Sequence, residues 1–241
     1  MKTVAACFFA LMIGACATTS TLPAYNPQFT YTPPQEAKPG AAQVTIALVA
    51  PSYAQDAPWT GLAPWTTFSN DLSSDFNELL AARGFLVKGP FGAYEQMVFP
   101  DKQGSDLVLV PTLSVTVDLQ NVSRAQTEII SGNVRMKGDA VLTGRVDFVL
   151  MESLTGTRMW TKNVPLGPKS VQWTMSQWLP KNAQFNPAVV YQDQGFVNAL
   201  GPVLEGFYTD ILENAWTYLN PDELKLVKTQ SLPVRKRAAG A

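Results

Sequence analysis

The sequence predicts an α+β domain of two layers, a largely antiparallel sheet with two long helices on one face and a short C-terminal helix. Three observations lead there. Residues 109–120 and 134–150 alternate apolar and polar side chains with a period of two, the pattern of long strands with one wet face. A turn at Leu154-Thr155-Gly156-Thr157 sends the second of these into a third run, and a meander of consecutive strands favours antiparallel pairing. Residues 68–80 and 196–219 instead repeat their apolar side chains at helical spacing.

Taken in order, Val44-Thr45-Ile46-Ala47-Leu48-Val49 is a short apolar run ended by Pro51 and reads as a buried strand. The loop after it holds Trp59 and Trp65. Phe68, Leu72, Phe76, Leu79 and Leu80 then trace one helical stripe, with Thr66 or Thr67 able to cap its start and Gly84 to close its end. Phe85-Leu86-Val87 reads as a strand turned by Gly89-Pro90-Phe91-Gly92, and a polar turn at 100–105 leads to the first long strand. In the second long strand Val134, Met136, Ala140, Leu142, Val146, Phe148 and Leu150 face one way and Arg135, Lys137, Asp139, Thr143, Arg145 and Asp147 the other. Gly138 and Gly144 fall on its apolar side, where bulges, bends or close packing belong. The third runs from Arg158 to Val164. A long helix follows with Phe196, Leu200, Leu204, Phe207, Ile211, Leu212, Ala215 and Leu219 on one stripe, kinked or begun at Pro202. Asn220-Pro221-Asp222-Glu223 reads as a fresh helix start, giving a short helix to about Thr229.

The chain opens with Met1-Lys2, an apolar run from Val4 to Ile13 and Gly14-Ala15-Cys16, a secretory signal too short for a lasting membrane span. Ile13-Gly14-Ala15-Cys16 has the pattern of a bacterial lipobox, whose cysteine takes a diacylglycerol and then an N-acyl chain such as palmitate. Residues 1–15 are thus the expected signal peptide and Cys16 the lipid-attachment residue; three acyl chains exceed the two signals that stable anchoring needs. The competing reading is an ordinary signal with Cys16 incidental. Cys7 leaves with the signal, so the mature chain keeps one cysteine and forms no internal disulfide. The uncharged Ala17 resembles outer-membrane sorting in Gram-negative cells. Residues 16–42, with Pro23, Pro27, Pro33, Pro34 and Pro39, read as a disordered tether, 43–230 as one domain, and 231–241 as a flexible tail around Arg235-Lys236-Arg237.

An enzyme is not expected. The sequence contains no His and, once the signal is gone, no cysteine besides Cys16, which removes Ser-His and Cys-His nucleophiles and the common zinc sites. Asp118, Asp139, Asp147 and Glu152 lie along strand faces, where a solvated surface is the plain reading. No Gly-rich phosphate loop precedes a helix, so neither a cofactor nor a metal is expected. Removing Lys2 leaves 17 Lys+Arg against 19 Asp+Glu, a net charge of −2 without the basic stripe that nucleic acid requires. The unusual feature is aromatic: Trp59 and Trp65 in one loop, then Trp173, Trp178, Phe185 and Tyr191 in the stretch from Gly167 to Gln192. Connections of that length are binding loops or hide a short helix or strand. Beside Gln172, Gln177, Asn182 and Asn186 the rings suit stacking on a sugar or a partner chain; the alternative is that they cover the open end of the core.

Residues 77–87 (NELLAARGFLV), the long strand at 107–119, residues 138–164 around Ser153-Leu154-Thr155-Gly156, and the helical end from Asn198 to Arg237 together resemble the neuraminyllactose-binding haemagglutinin family, lipoproteins of the outer membrane and flagellar sheath. The resemblance covers most of the chain after the tether and rests on ordered weak patterns. It implies an α+β lipoprotein of the outer membrane or cell surface with adhesin activity towards sialylated glycans. The sialic-acid segment proposed for that family is a Lys/Arg-rich loop after the long strand. Here Leu119 to Gln126 carries one basic residue, Arg124, where a carboxylate wants a bidentate Arg or several donors. The candidate ligand contacts are Trp59, Trp65, Arg124, Trp173, Trp178 and Tyr191. Two roles stay open beyond membrane attachment through the lipid: an adhesin for a glycan or protein, and a structural envelope or flagellar-sheath lipoprotein acting through protein contacts and oligomerisation.

Overall fold

Long alternating runs become long strands, and the computed structural model, which describes residues 25–239, is organised around them. Its strands are β1 (Thr45–Val49), β2 (Ser52–Tyr53), β3 (Leu86–Phe91), β4 (Leu107–Thr127), β5 (Val134–Glu152) and β6 (Arg158–Thr174). Its helices are α1 (Trp65–Ala82), α2 (Phe99–Gln103), α3 (Pro187–Gln192), α4 (Gln194–Tyr218) and α5 (Pro221–Ala239). The sheet order is β3-β1-β4-β5-β6, with β2 also pairing to β4. β4, β5 and β6 form the expected antiparallel meander, whereas β1 runs parallel to both β3 and β4. The long ladders are therefore antiparallel and one short edge is parallel. That edge follows from the apolar run of β1, buried on both faces as parallel strands are, and from the α1 crossover that joins β1 to β3.

α1 and α4 lie on one face and close the main core, where Phe76 meets Phe148 edge-on at 5.7 Å. Gly84 ends α1 at φ +84°, a conformation that favours glycine, with the methyls of Ala37 and Ala41 about where a Cβ would crowd them. On the opposite face only the part nearest the parallel edge is covered. There Ala47, Val49 and Val108 pack with Met97 beneath Tyr94 and Phe91, while Lys137 further along is exposed. The segment expected to turn at 89–92 stays in β3 through Phe91, and the turn expected at 100–105 is largely the short helix α2.

The sheet has two distinct ends. α5 crosses the lower one: Lys228 bridges the Asp106 carboxylate at 2.9 Å and the Gln43 carbonyl at 2.7 Å, and Leu224 and Val227 are buried. Expected to stop near Thr229 before a flexible tail, α5 instead continues to Ala239, because Ser231 is buried and Arg235 donates to the carbonyls of Ser105 (2.9 Å) and Gln103 (2.6 Å). The upper end carries the β4–β5 hairpin and the N-terminus of α4.

Residues 25–42, read as tether, are part of the fold. The Tyr25 amide donates to Asn198 Oδ1 at 2.8 Å, the Gln28 amide to Glu205 at 2.8 Å, and Phe29 is buried between Phe68 and Tyr208. Further on, Ala37 and Ala42 donate to the carbonyls of Ala82 and Gly84. The segment is a strap running down α4 from its first turns towards its end. Prolines suit this role, since they hold the backbone extended without leaving amides to satisfy. Gly201 makes room for the Tyr25 ring, which occupies the place a Cβ would take. Cys16 and the signal lie outside the described residues. Among the described residues no helix is long and apolar enough to cross a membrane.

Candidate functional site

The upper end of the sheet brings together Ile129, Ile130, Trp178 and Phe185, four of the exposed large hydrophobic side chains of the described residues. β4 and β5 continue past the body of the sheet to a turn at residues 128–133. That turn is held by its own atoms: the Glu128 amide donates to the Asn133 carbonyl at 2.7 Å and the Gly132 amide to the Glu128 carbonyl at 2.9 Å. The Glu128 carboxylate receives the Ser131 hydroxyl and the Asn133 amide. Gly132, at φ +71°, completes it. What the turn displays is Ile129 and Ile130, 99% and 98% exposed. An ordered turn that presents two isoleucines fully to water is unusual, because each forfeits the free energy its burial would gain.

Behind the tip the chain from 175 to 181 is stitched to the hairpin. Met175 donates to the Met136 carbonyl, and Val134 and Leu179 exchange hydrogen bonds, all at 2.8 Å. Asp193, buried and capping α4, fastens the same segment: its carboxylate accepts from Ser176 N and Oγ, Gln177 N, Gly195 N and Phe196 N. Trp178, 37% exposed, carries the Arg135 guanidinium 4.4 Å over its ring. Arg124 donates to the Lys181 carbonyl at 3.2 Å, and the Lys181 stem lies against Gly132. The tip is thus backed by Arg124, Arg135 and Lys181.

Two hollows flank it. A small apolar pocket of about 190 Å³ lies beneath Phe185, lined by Met136, Met175, Leu179 and Val190. On the uncovered sheet face a polar cleft of about 240 Å³ is lined by Asn121, Ser123, Lys137, Asp139, Gln172 and Thr174, with Asn121 (φ +52°) donating to Asp139 at 2.6 Å.

The six residues singled out from sequence divide accordingly. Trp59 and Trp65 are buried in the core: they pack on each other at 4.1 Å and against Tyr53, whose hydroxyl donates to the Trp65 carbonyl. Trp173 is also core, edge-on to Phe196 at 5.9 Å, with its buried indole N–H lacking a partner. Tyr191 is half-buried against Phe196, and burial, with Asp118 nearby, raises its phenol above the ordinary value. Only Trp178 and Arg124 present substantial free surface, and the structure brings both to the hairpin end. The stretch from Gly167 to Gln192 is not one loop, since β6 runs on to Thr174 and α3 occupies 187–192. Sequence reading missed Ile129, Ile130, Arg135 and Lys181 as a group. The available signal was an Ile-Ile pair in front of Ser-Gly-Asn, apolar where a turn should be polar.

The arrangement defines a class by its fold, an α+β sheet meander with α1 and α4 on one face and an N-terminal strap. The crystal structure of a neuraminyllactose-binding haemagglutinin homologue from Helicobacter pylori is similar in overall fold: TM-score 0.61 at 12% identity, covering 86% of this chain and 98% of that one. A lipoprotein from Neisseria meningitidis matches at 18% identity over 70% of this chain and 99% of that one, with a TM-score of 0.26, and the fold assignment rests on the first structure alone. No protein-family model and no curated protein matches the sequence.

Proposed function

We propose that this chain is a bacterial envelope lipoprotein, held by acyl chains on Cys16, that works through non-catalytic contacts made at its hairpin end. The lipobox supports the anchor, and the observation that carries the contact role is the exposed Ile129–Ile130 pair, ordered by a turn that gives it no partner within the described residues. The uncharged Ala17 favours the outer membrane. Mass spectrometry of the protein from its own membranes tests the anchor, with an acylated Cys16 expected at the N-terminus; an unmodified cysteine or a retained signal overturns it. A photo-crosslinker at Ile130 tests the contact site, with Asp147 on the open sheet face as the comparison. Adducts from 130 and not from 147 are expected, and their absence from both positions removes the hairpin end as the working surface.

A second reading, adhesion to a sialylated glycan, is favoured by the polar cleft. The similar Helicobacter pylori protein is named for neuraminyllactose binding. In this chain the cleft offers the Lys137 ammonium for a carboxylate and the side chains of Asn121, Asp139 and Gln172 for hydroxyls. Titration with sialyllactose would then show saturable binding that Lys137→Ala abolishes; no heat or chemical-shift change at millimolar sugar sinks this reading.

A further inference from the structure

We propose that the hairpin tip is a second membrane contact, in which Ile129 and Ile130 enter the interfacial layer of the anionic bilayer that holds the anchor. The inference rests on the anchored-lipoprotein reading, because the exit of the chain supplies half of its geometry. The other half is chemical. Apolar residues at the extreme tip, an aromatic ring behind them and a collar of cations form the order in which a bilayer surface presents acyl chain, headgroup level and phosphate. Here Ile129 and Ile130 form the tip, and Trp178 stands behind them together with the cations Arg124, Arg135 and Lys181. The one carboxylate at the tip, Glu128, is engaged by Ser131 and Asn133 at the base of the turn.

Shape and size favour lipid over a protein partner. The tip is convex and offers two side chains, far short of the roughly 1,000 Å² that a specific protein interface needs. It is sufficient as the second of two signals that together fix a protein on a membrane.

The strap begins at the same end of the domain. Tyr25 sits on Asn198, in the second turn of α4, and the chain then descends past Glu205 and Tyr208, so it enters from the hairpin side. The first turn of α4 lies level with Met136, through Ser176 on Asp193 and Met175 on Met136. Ile130 is six residues beyond Met136, at most about 20 Å along a strand. Asn198 lies about 6 Å below the helix start at 1.5 Å per residue. Residues 16–24, nine in number, span up to roughly 30 Å when extended. The reach of the tether therefore covers the overhang of the tip, and acyl chains and isoleucines can meet one bilayer plane with α5 pointing away from it.

The test uses the full mature chain with Cys16→Ser, which removes both the acyl chains and the only native thiol. Ile130→Cys then carries a single polarity-sensitive fluorophore, and Lys225→Cys on α5 carries it in a parallel sample. On phosphatidylcholine and phosphatidylglycerol vesicles in large lipid excess, which reads the weak, reversible affinity of the tip alone, emission is expected to rise at position 130 and stay flat at 225, with binding weakened by added salt. In the unlabelled protein, Ile129→Asp with Ile130→Asp is expected to lower vesicle partitioning about a hundredfold, about tenfold per isoleucine. An unchanged signal at 130, or equal partitioning by the tip variant, overturns the proposal. So does a tip variant that alters the particle mass in solution without altering partitioning, which would make a second copy the occupant. Because this assay contains no acyl chain, a failure of the tip and a failure of the Cys16 anchor are read separately.

Discussion

Replacing Phe29 by Ala asks whether the strap is structure or tether. The ring is buried, stacked on Tyr208 with centroids 5.3 Å apart at 27° and edge-on to Phe68 at 5.2 Å and 87°. Removing a buried phenylalanine costs roughly 3 to 5 kcal/mol, from lost transfer free energy and the cavity left behind. The lower part of that range applies if Tyr208 follows the missing ring. Its movement is restrained, because its hydroxyl donates to Asp75 at 2.7 Å in a buried site, and burial with that carboxylate holds the phenol well above its ordinary value. For a domain of this size each kcal/mol moves Tm by about 2–4 °C, so Phe29→Ala should lower Tm by roughly 10 °C. Calorimetry or near-ultraviolet circular dichroism on the mature protein measures it. Gln28→Ala is the control, since that side chain is exposed and, among the described residues, bonds only to the Asn26 carbonyl; it should stay within about 1 °C. A drop under about 2 °C for Phe29→Ala would refute the strap.

Three further outcomes follow from the same contacts. Asp193→Ala leaves the buried Phe196 amide and the half-buried Ser176 and Gly195 amides unmet and should cost roughly 2–4 kcal/mol, with hydrogen exchange at 175–181 accelerating before that of the sheet. Truncation after Gln230 should cost about 1–3 kcal/mol in chemical denaturation, because it strips Arg235 from the Ser105 and Gln103 carbonyls; no loss would restore the flexible tail. Burial, with Asp75 nearby, raises the Asp71 carboxyl above its ordinary value. The folded state thus binds that proton more tightly than the unfolded chain, and ionisation of Asp71 opposes folding at pH above its folded value. Asp71→Asn should therefore raise Tm at neutral pH, with the advantage fading as pH falls through the folded value and towards the unfolded one near 4.

The parts of this fold that could be read from sequence are those whose signal is local. β4 and β5 keep a dry face over many residues, and the stripes of α1 and α4 repeat every turn, so a short window suffices to recognise them. The strap escaped because its evidence is three rings among prolines, and their partners stand far along the chain; Tyr25 and Asn198 are 173 residues apart. Trp59 and Trp65 looked available for the opposite reason: the polar loop around them is local, while Tyr53 and the start of α1, which bury them, are brought there by packing. The tip was hidden by its brevity. Two isoleucines in a long alternating hairpin read as more strand until the register shows that the chain has already turned beneath them. Trp178 and Arg124 stand out in the sequence, yet Arg135, which stacks on the first, and Lys181, which receives the second, join them only through the fold.

The strap also decides how the domain bears a pull. Force applied from the N-terminal side enters at Tyr25 and runs in line with α4, so the Tyr25 and Gln28 hydrogen bonds and the ring contacts of Phe29 are loaded together, in shear, rather than opened one after another. β1 begins beyond the far end of the strap, and its ladders with β3 and β4 carry no tension until the strap has slid free. A protein drawn by its N-terminus in a force spectrometer should accordingly yield in two events, a short extension of about 20 residues followed by rupture of the sheet. Pulled from that side, the flank of a helix takes the load first and the sheet is the last part to feel it.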